Sequence, residues 1–313
     1  MLSYRHAFHA GNHADVLKHL TLLGALQRLQ GKPGGLLLVD THAGAGLYRL
    51  DQTEAQTSGE AAQGVLALAQ ALDAGADTAA RPDLIEALRQ HLNAFNDGGP
   101  WRVYPGSPAW MHALQRPQDR LALFELHPTD GRLLDRTVRR WLEHTPRSSI
   151  VLRRDNGFEG LKALLPPSER RALVLIDPSY ELKSDYAAVA AAVDEALRRC
   201  ATGCVLVWYP VIGRAQAHAL PRRLRALAER AARPWLRAEL HVGGVADAAA
   251  RAAAARGRAH GTLRASGMFV INPPYTLAER LRAALVWLLP TLRQGPGAQA
   301  SVQTSNDAPV LRA

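Results

Sequence analysis

Apolar residues along this chain fall into short continuous runs. Those at 36–40, 121–126, 149–152, 172–177, 204–209, 238–242 and 268–272 are rich in Leu, Val and Ile, and each ends in a turn or a polar residue. Runs of this length and type predict strands buried on both faces. Stretches with helical spacing, such as 184–199 and 221–232, separate most of them. Strands that alternate with helices imply a mainly parallel sheet covered on both sides. The expected fold class is therefore α/β, a doubly wound, Rossmann-like sheet of seven strands.

One interval breaks the rhythm. The first two strands are separated by about 80 residues, where a simple βα unit needs about 30. Within that interval, 60–76 and 82–96 carry apolar residues at helical spacing, for example Leu84, Ala87, Leu88 and Leu92. Residues 51–101 are expected to form a small inserted helical subdomain, with 1–50 and 102–293 as the main domain. The stretch 294–313 is rich in Gly, Ser, Pro and polar residues and is expected to be a disordered tail. The Ala/Arg-rich stretch 246–260 lacks large apolar residues and is expected to be a mobile basic loop.

Composition adds bounds. A chain of 313 residues with 47% hydrophobic content can bury a sizeable core. No apolar run approaches the roughly 20 residues of a membrane helix, and the N-terminus has no apolar segment after a basic start. The two cysteines, Cys200 and Cys204, sit among Leu, Val and Ala and read as small core residues. A cytoplasmic protein without a membrane partner is expected. Lys and Arg number 38 against 28 acids, a formal charge of +10, which favours a polyanion partner. The Arg/Ala bias of a GC-rich genome raises the charge as well.

Candidate chemistry lies at the strand ends. The first strand runs into Asp40-Thr41-His42-Ala43-Gly44-Ala45-Gly46. Glycines there let the backbone turn tightly and approach a ligand closely. The loop lacks the third glycine of a dinucleotide fingerprint and the Gly-Lys-Ser/Thr of a P-loop. An acid followed by a Gly-x-Gly turn suits S-adenosylmethionine, whose ammonium welcomes the Asp40 carboxylate and whose backbone can lie against Gly44. An ordinary tight turn is the alternative. Glu125, at the end of the second strand, is placed to accept hydrogen bonds from ribose hydroxyls. Asn156 and Gly157 follow the third strand and suit the adenine edge of such a cofactor, with a plain surface turn as the alternative.

The fourth strand ends in Asp177-Pro178-Ser179-Tyr180, similar to the Asp/Asn/Ser-Pro-Pro-aromatic motif of enzymes that methylate amino groups. The N6 lone pair of adenine is delocalised into the ring, so the amine is a poor nucleophile. Asp177 and the Pro178 carbonyl can each accept one N–H, drawing the nitrogen toward tetrahedral geometry. Tyr180 is expected to stack on the extruded base. Ser179 stands where the second proline is usual. Asn272-Pro273-Pro274-Tyr275 fits the motif letter for letter. In this type of sheet, however, the last strand runs antiparallel, so its end would emerge away from the cofactor. Asn272 to Tyr275 is therefore expected to be a structural turn.

The N-terminal segment carries His6, His9, His13 and His19. His9 and His13 have i, i+4 spacing, but there is no His-Glu-x-x-His and no nearby Cys, so no metal is expected. With Tyr4, Arg5, Asn12 and Lys18 beside them, these residues suit contact with a nucleic acid and a cofactor. A helix cap with solvated histidines is the alternative.

These residues resemble a known family. The run from Met1 to His19, the loop 40–46, Tyr104-Pro105-Gly106-Ser107-Pro108, Glu125-Leu126-His127-Pro128, Trp208-Tyr209-Pro210 and Ala265-Ser266-Gly267-Met268 are similar to the ribosomal RNA large subunit methyltransferase J family. Its members methylate N6 of an adenine in bacterial 23S rRNA. The resemblance runs from residue 1 to about 290. It implies a class I methyltransferase sheet with an early helical insertion. It also implies cofactor contacts at His19, His42, Ser107, Glu125, Asn156, Gly157 and Asp177, with Asp177 catalytic, and substrate-side roles for Tyr4, His6 and Lys18. At Asn156 the family more often has Asp. The expected partner is protein-free or immature 23S rRNA, bound by a monomer without metal. Two other classes remain open from sequence: a DNA adenine-N6 methyltransferase, which would normally carry a separate target-recognition domain, and a catalytically weakened RNA-binding protein.

Overall fold

The computed structural model describes residues 5–75, 81–145, 148–244 and 263–307. Tyr4 and the expected loop 246–260 lie outside the described residues. An eight-stranded sheet forms the centre. Its strands are β1 (Leu37–Asp40), β4 (Arg120–Phe124), β5 (Ser149–Arg153), β6 (Ala172–Ile176), β7 (Cys204–Pro210), β8 (Trp235–His241), β9 (Ala265–Ile271) and β10 (Gln299–Thr304). Their spatial order is β10-β8-β9-β7-β6-β1-β4-β5. β1 pairs in parallel with β4 and β6, β4 with β5, and β6 with β7. β9 runs antiparallel to β7 and β8. This is the Rossmann-like order of class I methyltransferases, extended by one edge strand. A separate two-stranded ribbon joins β2 (Leu47–Arg49) to β3 (Val103–Pro105).

Alternation along the strands divides the core. Leu36 and Leu38 of the first strand region, with Leu173 and Leu175 of β6, face one layer. Leu37, Val39, Val174 and Ile176 face the other. The first layer holds α1 (His13–Gln30) and α10 (Leu277–Leu292); the second holds α7 (Gly157–Leu164), α8 (Lys183–Arg199) and α9 (Ala215–Arg230). Between β2 and β3 lie α2 (Thr53–Ser58), α3 (Val65–Asp73) and α4 (Asp83–Phe95). Their Val65, Leu68, Leu84, Leu88 and Leu92 share one core with Leu17, Leu20 and Leu23 of α1 and Leu281 of α10. The remaining α-helices among the described residues are α5 (Ser107–Leu114) and α6 (Pro128–His144).

Two differences from the sequence expectations concern strands. Residues 299–304 are not a disordered tail: they pair antiparallel with β8. Small residues Ala300 and Val302 pack on the main core while the alternate Gln and Ser positions face outward, a weak period-2 signal masked by polar composition. β8 and β9 also begin about three residues earlier than their apolar runs suggested. Cys200 and Cys204 are buried and free. No helix among the described residues is long and apolar enough to cross a membrane.

Candidate active site

α1 is unusual for a helix because it is buried from His13 to Leu26. Its first half contributes His13, Asp15, Lys18, His19 and Thr21 to the interior, where polar groups are costly unless paired. Asn12 starts the helix by accepting from the backbone N–H groups of Ala14 and Asp15, both at 2.9 Å, a cap worth about 1 kcal/mol. This end of α1 lies against the C-terminal ends of the parallel strands.

There Lys18 Nζ lies 2.6 Å from Asp177 Oδ2 and 2.8 Å from Asp15 Oδ1. Asp15 Oδ2 accepts from the Gly11 backbone N–H and pairs with His6 Nε2, both at 2.9 Å. His6, Lys18 and Asp177 are thus joined through one buried carboxylate. Burial opposes the charge on Asp15, but His6 and Lys18 outweigh it and hold this carboxyl well below the usual range. Burial likewise opposes the charge on Lys18, and the two flanking carboxylates overcome it and raise the ammonium above its ordinary value. Asp15 carried no motif letter. Its only signal in sequence is an acid three residues before Lys18 on a helix that proves to be buried.

Asp40, at the end of β1, is fully buried. His42 N–H donates to its Oδ1 at 3.2 Å, and Oδ2 has no hydrogen-bond partner among the described residues. Burial, opposed by the Ser107 hydroxyl and the His42 N–H, pushes this carboxyl up to about 7. The following loop turns through left-handed Gly44 and Gly46. A side chain at Gly44 would meet the Tyr48 hydroxyl at 2.3 Å, and that hydroxyl accepts from Ala45 N–H at 3.0 Å. Tyr48 also meets His6 edge-on, with ring centroids 5.1 Å apart. Sequence reasoning missed this tyrosine, which stands on β2 just after the loop and folds back to brace it.

Glu125 follows β4. Its Oε2 accepts from Gly44 N–H at 2.7 Å and its Oε1 from His127 N–H at 2.6 Å. Each oxygen keeps a lone pair for another donor. Burial raises this carboxyl above its usual value. After β5, Asn156 caps α7 by accepting from Phe158 N–H at 2.9 Å, so its amide NH2 is the group left for a ligand. A side chain at Gly157 would stand 2.0 Å from the Thr41 carbonyl, so only glycine lets α7 abut the β1 loop. His42 binds the Thr41 hydroxyl through Nδ1 at 2.8 Å and meets Phe158 edge-on at 4.9 Å. Burial lowers the His42 imidazole to about 4. His19 is deeper: its Nδ1 is 2.7 Å from the Tyr104 hydroxyl, and its buried Nε2 has no partner among the described residues. Burial holds it well below the ordinary histidine value. Ser107 opens α5 and is also buried.

The sequence-predicted residues His6, Lys18, Asp40, His42, Gly44, Glu125, Asn156, Gly157 and Asp177 therefore lie on neighbouring elements at one edge of the sheet. The unpartnered Asp40 oxygen, the glycine cradle and the Glu125 carboxylate fit a ligand carrying an ammonium and a ribose. Pro178 is buried next to Asp177. Tyr180 differs from expectation. It is 2% exposed, its hydroxyl donates to the Trp208 carbonyl at 2.6 Å, and its ring packs on Tyr186 and Trp208. It is left-handed, with φ of 54°, and Arg214 grips its carbonyl at 3.0 Å. A ring held this way fixes the turn after Asp177 and offers no open face to a base. Tyr4 falls outside the described residues. Among the described residues no three His, Cys, Asp or Glu side chains converge as metal ligands would.

The chain as a whole is similar to known proteins. Residues 33–303 match the family described as ribosomal RNA large subunit methyltransferase D, RlmJ. A Haemophilus influenzae protein named ribosomal RNA large subunit methyltransferase J is 42% identical over 293 residues, covering 93% of this chain and 94% of its own. An Escherichia coli protein of the same name is 41% identical over 288 residues, covering 92% and 93%. A crystal structure of a Legionella pneumophila protein superposes with a TM-score of 0.76 at 32% identity, covering 95% of this chain and 97% of that one.

Proposed function

This chain belongs to the RlmJ family of ribosomal RNA large subunit methyltransferases, and we propose that it methylates N6 of one adenine in 23S rRNA with S-adenosylmethionine as donor. The observation that carries the chemical part is the pairing of Lys18 with Asp177 at the end of β6, beside Asp40 and Glu125. S-adenosylmethionine, when bound, supplies an electrophilic methyl group on a sulfonium.

The residues divide the work. Asp40 faces the ammonium with its unpartnered oxygen, and Glu125 accepts from the ribose hydroxyls while tied to the Gly44 turn. His19, His42, Ser107, Asn156 and Gly157 complete the cofactor wall. Lys18 binds Asp177 Oδ2; Oδ1 accepts no hydrogen bond among the described residues and is open to an adenine N–H. The Pro178 carbonyl is the acceptor for the second N–H. Two acceptors on one amine turn its lone pair out of the ring plane, which is what a weak nucleophile needs. Tyr180 and Arg214 hold the backbone of that turn. Rigidity normally supplied by a second proline comes here from a buried ring, so Ser179 is compatible with the chemistry. Lys18, His6 and Tyr4 are the substrate-side residues in this reading.

The test is transfer of labelled methyl groups to protein-free 23S rRNA and to duplex DNA, followed by nucleoside analysis. N6-methyladenosine from rRNA alone is the expected result. Label in DNA but not rRNA, or in neither, would contradict the reading.

A further inference from the structure

The opposite edge of the sheet carries a second charged feature. A cleft of about 380 Å³ opens where α1 ends and β6 begins, lined by Arg28, Lys32, Arg170, Arg171, Pro274 and Tyr275 among others. It is separated from Asp177 by the length of β6, five residues or about 16 Å. Arg171 is tied to the Gly34 and Leu29 carbonyls. The side chains of Arg28, Lys32 and Arg170 are exposed and make no hydrogen bond or ion pair among the described residues. The acids nearby are committed elsewhere: Glu169 to Arg120 at 2.6 Å and Asp119 to Arg116 at 2.8 Å. Arg170 is also held left-handed, with φ of 55°, a conformation costly for a side chain of its size. Beside these cations Tyr275 projects, 81% exposed.

Three uncompensated cations around an open aromatic ring have the chemistry of an RNA backbone site, with phosphates on the cations and an unpaired base on the ring. We propose that this cleft binds a single-stranded stretch of the substrate RNA away from the methylated adenine. The proposal rests on the RNA reading above. α1 links the two sites: Lys18 lies at one end and Arg28 ten residues later, about 15 Å along the helix. The cleft uses no residue assigned to the cofactor or to methyl transfer, so it contributes to RNA affinity independently of the chemistry.

The test is a salt titration of binding to a fluorescent 30-nucleotide single-stranded RNA, with S-adenosylmethionine affinity measured in parallel. Arg28→Glu/Arg170→Glu is compared with Arg222→Glu/Arg223→Glu, an equal charge change at exposed arginines on α9. The first pair is expected to weaken RNA binding more than tenfold and to lower the log–log salt slope by about 1.5. The second should have a much smaller effect, and cofactor affinity should be unchanged in both. Tyr275→Ala, which keeps every charge, is expected to weaken binding about tenfold. Equal losses in the two arginine pairs, or unchanged binding in the first, would overturn the distal site while leaving the RNA reading intact. Failure of the wild-type chain to bind RNA at all would overturn both.

Discussion

The two edges of the sheet carry nearly the same four letters with opposite consequences. At one edge Asp177-Pro178-Ser179-Tyr180 departs from the amino-methylation motif, yet its acid pairs with Lys18 next to Asp40 and Glu125. At the other, Asn272-Pro273-Pro274-Tyr275 matches the motif, but Asn272 is left-handed and its amide donates to the Ala201 and Gly203 carbonyls at 3.0 and 2.8 Å. Its own N–H donates to the Pro234 carbonyl at 2.9 Å. An amide committed to two backbone oxygens holds a turn together. The antiparallel direction of β9 decides the difference, because it delivers its C-terminal end to the edge without the glycine loop or the buried acids.

Substitutions break this comparison in a definite order. Asp177→Ala removes the proposed acceptor for the adenine amine and is expected to lower methyl transfer by about 10³-fold, with the cofactor Kd changed only a few-fold by calorimetry. Wild-type turnover in that variant would place the chemistry elsewhere. Lys18→Met comes next. It leaves Asp15 and Asp177 facing each other without the ammonium, and breaking a buried pair from one side costs about 3–5 kcal/mol. Denaturant unfolding is expected to show a loss of that size and steady-state assays a lower kcat; unchanged stability would show the pair is not formed in solution.

A pH series sharpens the account of Asp40. Burial raises its carboxyl to about 7, so below that pH an ammonium ligand must first drive off a proton. Cofactor affinity should therefore rise with pH, approaching tenfold per unit below 7 and levelling above it. Asp40→Asn should bind more weakly and lose the dependence. The same shift has a stability sign: the folded chain holds this proton more tightly than the unfolded one, so Asp40 contributes stability at low pH that declines as pH rises from about 4 to 7. The smallest catalytic effect is expected at the other edge. Asn272→Ala should cost about 1–3 kcal/mol through unpaired carbonyls and backbone strain while kcat stays within about twofold. Selective loss of kcat there would restore the matching motif as the chemical one.

Much of this edge was legible in the chain. Continuous apolar runs exposed the parallel strands, and strand direction separated Asp177 from Asn272 without structural knowledge. The acids at the ends of β1, β4 and β6 followed from where those runs stop. What escaped depends on contacts that the apolar pattern does not encode. Asp15 matters because α1 is buried, and helical spacing does not reveal that for a helix apolar on most sides. Tyr48 follows the glycine loop directly, but no motif letter shows that its hydroxyl folds back onto Ala45 N–H. Tyr180 has a binding residue's letter in its motif, yet its left-handed backbone turns the ring into the core. β10 was hidden by polar composition, since an edge strand needs only alternate small apolar residues to dock.

Hydrogen–deuterium exchange with and without S-adenosylhomocysteine tests most directly which edge holds the site. The account predicts protection in peptides covering 40–46, 125–128 and 156–160, with none in 270–277. Protection confined to 270–277, with the β1 loop unchanged, would contradict it.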